Sequence, residues 1–164
     1  MKAWVVYESH WGNTAEIARA IAEGIGAGTK AVSTAEAKAA EVPELDLLVV
    51  GAPVLGFRLS TQSMYDQMRR QPNKGNPPNL SHPPAREWLE SVPAGGAAVA
   101  AFDTRARGPF GTAAPAILKL LGQAGYRQVA EPEGFLVKGR QGPMRDGEIE
   151  RAREWGKELA AAAH

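Results

Sequence analysis

The sequence predicts an α/β domain built on a doubly wound, five-stranded parallel sheet in the order 2-1-3-4-5. Two patterns carry that prediction. Apolar runs of strand length alternate with amphipathic helical stretches along all 164 residues. Three of the runs, AWVVY, LLVVG and AAVAAF, are apolar almost without interruption, as strands are when helices cover both faces of a sheet. Repeated strand–helix alternation of this kind is the signature of a doubly wound fold.

In chain order the strands are expected at Ala3–Tyr7, Lys30–Ser33 (the weakest), Leu47–Gly51, Ala97–Phe102 and Phe135–Lys138. A first helix over Thr14–Gly26 puts Ile17, Ile21 and Ile25 on one stripe with Ala18 beside it, and Asn13 or Thr14 serves as its cap. Residues 60–71 and 84–92 read as two shorter helices. The stretch PNKGNPPNLSHPP between them is a Pro/Asn-rich surface loop, because the pattern resumes after it. Thr112–Ala124 is a helix with Pro115 in its first turn and Gly125 as its stop; Ile117, Leu118, Leu121 and Ala124 form its inner face. The last helix, Asp146–Ala163, gathers Asp146, Glu148 and Glu150 at its positive end and buries Ile149, Ala152, Trp155 or Gly156, and Leu159. The whole chain, 1–164, reads as one domain without repeats.

Composition removes several function classes. A net charge of +1 suggests neither a nucleic-acid nor a membrane surface. With no cysteine there is no disulfide framework, thiolate nucleophile, cysteine-based zinc site or iron–sulfur cluster. MKAWVVYESH has a short apolar run that soon meets Glu8 and His10, unlike a signal peptide. A soluble, cytoplasmic protein without bound metal is expected.

In a doubly wound sheet ligands bind beyond the carboxyl ends of the strands, so the informative residues follow each strong strand. After the first comes ESHWGNT, residues 8–14; after the third, GAPVLGFRLS, 51–60; after the fourth, DTRARGPFGT, 103–112. ESHWGNT serves as a plain strand–helix connection or as a phosphate cradle. For the cradle, Ser9, Asn13 and Thr14 offer side-chain donors, Gly12 lets the backbone approach a ligand, and the helix start presents free N–H groups.

On these residues the chain resembles the flavodoxins, whose loop after strand one has the form S/T-x-T-G-x-T. Ser9-His10-Trp11-Gly12-Asn13-Thr14 matches it at Ser9, Gly12, Asn13 and Thr14, with Trp at position 11 where many relatives have a hydroxyl residue. The resemblance implies FMN as cofactor, its phosphate held by backbone N–H groups and hydroxyls of Ser9–Thr14 without a basic side chain. It lays Pro53, Val54, Leu55, Gly56 and Phe57 along one flavin face and sets Phe102, Asp103, Thr104 and Arg105 at the pyrimidine edge and other face. Trp11 is either a surface cover or a wall of the site. Asp103 either caps a turn or meets flavin N–H groups. His10 is a loop residue near the phosphate with no evident carboxylate partner, and His82 and His164 read as inert.

Three departures qualify the likeness. Loops two and three lack the family's usual Trp and Tyr and offer Phe57, Phe102 and Phe110 instead. A pI near 8.0 removes the acidic surface with which flavodoxins dock. Arg58, Arg105 and Arg107 are expected along a rim usually kept negative. Rival readings on similar folds fail on residues: no acidic pair for a receiver domain, no phosphatase cysteine, no G-x-G-x-x-G and no G-x-x-x-x-G-K-S/T. The reading is an FMN-binding redox protein that passes electrons to an unidentified partner protein or reductase, without a catalytic acid or base. The alternatives are an interaction module that has lost its flavin and a small NADPH-dependent quinone or nitro reductase.

Overall fold

The apolar runs pair as their spacing dictates. In the computed structural model, which describes residues 1–71 and 75–164, β1 (Ala3–Tyr7) lies between β2 (Lys30–Ser33) and β3 (Leu47–Leu55), all parallel. A two-residue strand β4 (Arg58–Leu59) folds back on β3 as an antiparallel hairpin arm. β3 pairs with β5 (Ala98–Ala106), and β5 pairs with both β6 (Arg127–Gln128) and β7 (Glu133–Val137). The expected order 2-1-3-4-5 is therefore present, with its fifth strand in two pieces. Pro132, between those pieces, has no N–H to give a ladder.

Both central strands outrun the sequence reading. Ladder pairing continues to Pro53↔Thr104 on one side of β5 and to Ala106↔Val137 on the other, so residues expected in loops are held as strand. β1 stops at Tyr7↔Gly51. Pro53 thus sits where β3 has one unpaired edge, the place where a strand tolerates proline.

The helices are α1 (Asn13–Ile25), α2 (Gln62–Arg70), α3 (Ala85–Glu90), α4 (Ala114–Gln123) and α5 (Glu148–Ala162). A short 3-10 turn, Ala39–Glu44, was not anticipated. α2 is capped by Thr61, whose hydroxyl accepts the Met64 N–H. α4 begins later than its pattern suggested because Asp103, across on β5, accepts the N–H groups of Ala113 and Ala114 at 2.8 and 2.9 Å. Of the Pro/Asn-rich surface loop expected after α2, Pro72, Asn73 and Lys74 lie outside the described residues.

Period-two alternation splits the core into two layers. Val5, Leu47, Val49, Ala100 and Phe102 face α1 and α5, where they meet Ile17, Ile21, Trp155 and Leu159. Val6, Leu48, Val50, Val99 and Ala101 face the opposite way, against Trp88, Ile117 and Leu121. α1 and α5 cross where a Cβ on Gly24 would strike the Arg153 carbonyl and one on Gly156 the Ile21 carbonyl, so both positions need glycine for the close approach. No helix among the described residues is long and apolar enough to cross a membrane.

Candidate functional site

β1, β3 and β5 end at one rim, and there the three loops enclose a cavity of about 510 Å³. That lies within the range of small-molecule sites, roughly 300–1,000 Å³. From the first loop Ser9, His10, Trp11, Asn13 and Thr14 line it; from the β3–β4 hairpin, Pro53 through Phe57; from β5, Thr104 and Arg105.

The first loop turns into α1 at Gly12, whose φ of 92° is open to glycine and disfavoured for other residues. The expected cap by Asn13 or Thr14 is not present. Gly12 itself occupies the N-cap position, and among the described residues no side chain caps the first turn. Gly12 N–H instead donates to Ser9 Oγ at 3.2 Å. Thr14, nearly fully buried, turns its hydroxyl to Thr104, at 2.8 Å between oxygens.

The second loop is a two-residue hairpin whose turn residues Gly56 and Phe57 both have positive φ, 54° and 70°. That is the signature of the type I′ turn, which matches strand twist. Phe57 carries this strain as a non-glycine residue and leaves 66% of its surface exposed. Behind it, Gly111 packs so closely on the Phe57 backbone that a Cβ would clash.

The sequence reading missed one wall. Met64, Gln67, Met68 and Gln71 of α2 and its end line the cavity. Their i, i+3, i+4, i+7 spacing was the available signal. It also missed Arg140, which lies in the cavity wall with its guanidinium carbon 5.7 Å from the centre of the Trp11 ring. Trp11 is fixed in turn, its Nε1–H donating to the Asn76 carbonyl at 3.0 Å.

Some expected residues are not brought to the cavity. Phe102 points into the α1–α5 layer, edge-on to Phe135 at 5.9 Å and Trp155 at 6.4 Å between centroids, because it shares a strand face with Ala98 and Ala100. Asp103 is fully buried; it caps α4 and accepts from Arg105 Nε at 2.7 Å, so its structural alternative is the one realised. Gly12 acts through backbone alone. Of the three rim arginines only Arg105 lines the cavity; Arg58 and Arg107 do not.

His10 does have a carboxylate partner. Glu8 and His10 lie two residues apart just beyond the end of β1, and the chain there brings the two side chains together. Glu8 is wholly buried, its Oε2 3.0 Å from His10 Nε2, with further hydrogen bonds from the Ser60 hydroxyl and the Ala85 N–H. Burial alone would raise its pKa, but the donors, His10 first, outweigh that and hold the carboxyl below its ordinary 4.5. Tyr65 Oη lies 3.0 Å from His10 Nε2, and burial with the nearby Glu8 charge pushes the phenol well above its usual range. His82, expected to be an inert loop residue, is buried in the same cluster.

The arrangement is an apolar slot with hydroxyls, an uncapped helix start and one exposed arginine at one end: it suits a flat ring carrying an anionic tail. The flavodoxin family model matches residues 5–155. Among solved structures, a flavodoxin from the domain Archaea is 23% identical, with a TM-score of 0.69 and 99% of each chain covered. Oxidised flavodoxin 1 from Bacillus cereus is 18% identical, with 98% of each chain covered and a TM-score of 0.70. Two-electron reduced flavodoxin from Megasphaera elsdenii is 18% identical over 97% of this chain and 98% of that one, with a TM-score of 0.63. No curated protein sequence matches.

Proposed function

The chain belongs to the flavodoxin family, FMN-binding proteins that transfer electrons to partner proteins, and from that premise we propose that it holds FMN in the 510 Å³ cavity and serves as an electron carrier. The observation that carries the proposal is the convergence of three different supports on one slot. Ser9, Asn13, Thr14 and the uncapped first turn of α1 offer donors to the phosphate. Pro53–Phe57, with Met64 and Met68, supply an apolar wall for one face of the ring system. Thr104 and Arg105 border the opposite side.

These residues fit the cofactor, with Phe57 and Trp11 in place of the Trp/Tyr pair common in the family. FMN supplies the redox chemistry when bound. The chain binds and orients it, keeps water from the apolar side of the slot, and leaves Phe57 and Phe110 exposed at the rim where a partner would approach. A net charge of +1 gives that approach little electrostatic steering, so electron transfer to a partner depends weakly on salt. The proposal places the protein in the cytoplasm, in keeping with a chain that has no disulfides to maintain.

Titration of purified apoprotein with FMN and with riboflavin, followed by fluorescence quenching, tests the reading. FMN should bind more tightly. Equal affinity for the two would remove the phosphate from the first loop, and no binding of either would remove the flavin from the cavity.

A further inference from the structure

Three hydrogen bonds tie the chain between α2 and α3 to the first loop. Trp11 Nε1–H donates to the Asn76 carbonyl at 3.0 Å, Asn79 N–H to the His10 carbonyl at 2.8 Å, and Ser9 N–H to His82 Nε2 at 3.1 Å. The far end of the segment is pinned by Thr34, whose hydroxyl donates to the Pro83 carbonyl at 2.7 Å. The third of the loop's bonds differs in kind. A backbone N–H can only donate, so His82 Nε2 must carry a lone pair, and its ring proton must sit on Nδ1. A second proton on the ring would replace an acceptor with a donor facing a donor.

We propose that residues 75–84 form a strap over the first loop and that His82 is its latch: a positioning residue that fixes Ser9 while uncharged and lets the loop go when protonated. This rests on the reading of that loop as the FMN phosphate site, and it makes cofactor retention sensitive to acid. The groups facing His82 are Glu8 and His10 from the first loop and, at 3.5 Å, the Tyr65 hydroxyl from α2. From α3, Glu87 acts on Tyr65, as does Arg69 of α2. Burial opposes a charge on His82 most strongly, His10 adds to that and Glu8 opposes it; the balance lies below the ordinary 6.5. The latch is therefore closed at neutral pH and opens only at a pH more acidic than that of an ordinary imidazole.

Two probes test this. In the apoprotein, the Ser9 amide resonance should follow one acid titration, and the His82 Nε2 nitrogen shift at neutral pH should report an unprotonated ring nitrogen. FMN affinity should fall on the order of tenfold from neutral pH to the acid side of the Ser9 amide transition, roughly one hydrogen bond's worth. In His82→Gln the amide oxygen can accept from Ser9 without titrating. That variant should keep its neutral-pH affinity, lose the Ser9 titration and show only the milder acid dependence of the phosphate ester, whose second ionisation lies near pH 6. A protonated Nε2 at neutral pH, a Ser9 amide flat with pH, or an unchanged affinity profile in His82→Gln would each overturn the latch. The nitrogen shift needs no variant, so a misfolded His82→Gln leaves the test intact. Should FMN fail to bind at any pH while Ser9 still titrates with His82, the latch stands and the FMN reading of the cavity falls.

Discussion

Thr14 Oγ1 and Thr104 Oγ1, ninety positions apart in sequence, lie 2.8 Å apart at the floor of the cavity. The contact ties the start of α1 to β5, so Thr14 holds the site together as well as lining it. Thr14→Val leaves the buried Thr104 hydroxyl without this partner. We expect the apoprotein to lose about 1–2 kcal/mol and FMN affinity to fall by about 1–3 kcal/mol, the range for hydrogen bonds to neutral and charged partners. Thr14→Val with Thr104→Val should cost the apoprotein less than the two singles summed, since one hydrogen bond is lost in all three. Chemical denaturation and FMN titration of the set decide it; simple additivity would mean the hydroxyls do not interact.

Arg140 gives the cavity a cation that the first loop lacks. It is exposed and rests on Trp11. Arg140→Gln should weaken FMN by about 1 kcal/mol or less, as exposed charge pairs do, and leave riboflavin unchanged. The difference should shrink at high salt. An equal loss for both flavins would assign Arg140 to packing on Trp11 instead of to the phosphate.

The buried Glu8 carboxylate links β1, Ser60, the start of α3 and His10. Its pKa is held below the ordinary 4.5, so its contribution to stability is complete above that value and is lost as pH falls through the folded-state value. Glu8→Ala strands the buried Ser60 hydroxyl and Ala85 N–H and should cost about 1–3 kcal/mol for each donor left without a partner. Glu8→Gln keeps much of the shape and should cost less. In either variant the fall of stability between about pH 5 and about pH 3 should be shallower than in the parent. Urea denaturation across that range checks it, and an unchanged slope would mean other carboxylates control the acid limb.

Much of this was legible in the sequence. Period-two and period-3.6 patterns are local, and they placed AWVVY, LLVVG and AAVAAF and the helices between them. Ser9–Thr14 and Pro53–Phe57 stand out in the sequence because they follow strong strands at one rim, and all of them but Gly12 line the cavity. What local patterns hide is which side of a strand a residue takes once the strand runs on. Phe102 was read as the last residue of its strand, but the ladder to β7 carries β5 to Ala106 and turns Phe102 into the core. Asp103 was ambiguous for the same reason: its ligands, the N–H groups of Ala113 and Ala114, are ten and eleven residues away. Arg140 and His82 come from segments without periodicity, and only tertiary contacts bring them to the first loop.

Arg105 lines the cavity, and its ion pair with Asp103 sets what removing it should do. Its Nε donates to the buried Asp103 at 2.7 Å, its guanidinium lies against Gly134, and the residue lines the cavity. The pair is close to neutral as a unit. Arg105→Gln leaves Asp103 uncompensated, so the local field changes from near zero to negative. Added negative charge disfavours putting electrons on the bound FMN, and its midpoint potential should fall. Two unit charges about 10 Å apart at an effective dielectric constant of about 20 interact by roughly 1.7 kcal/mol, which sets an upper scale before solvent screening. Asp103→Asn with Arg105 kept should move the potential the other way. That variant also weakens the α4 cap, so its melting temperature must be recorded beside the potential. Potentiometric titration of the FMN-loaded proteins tests the pair. Shifts of opposite sign place this ion pair within electrostatic reach of the flavin. An unchanged potential in both would show that the Arg105–Asp103 pair serves the α4 cap and the β5–β7 edge alone.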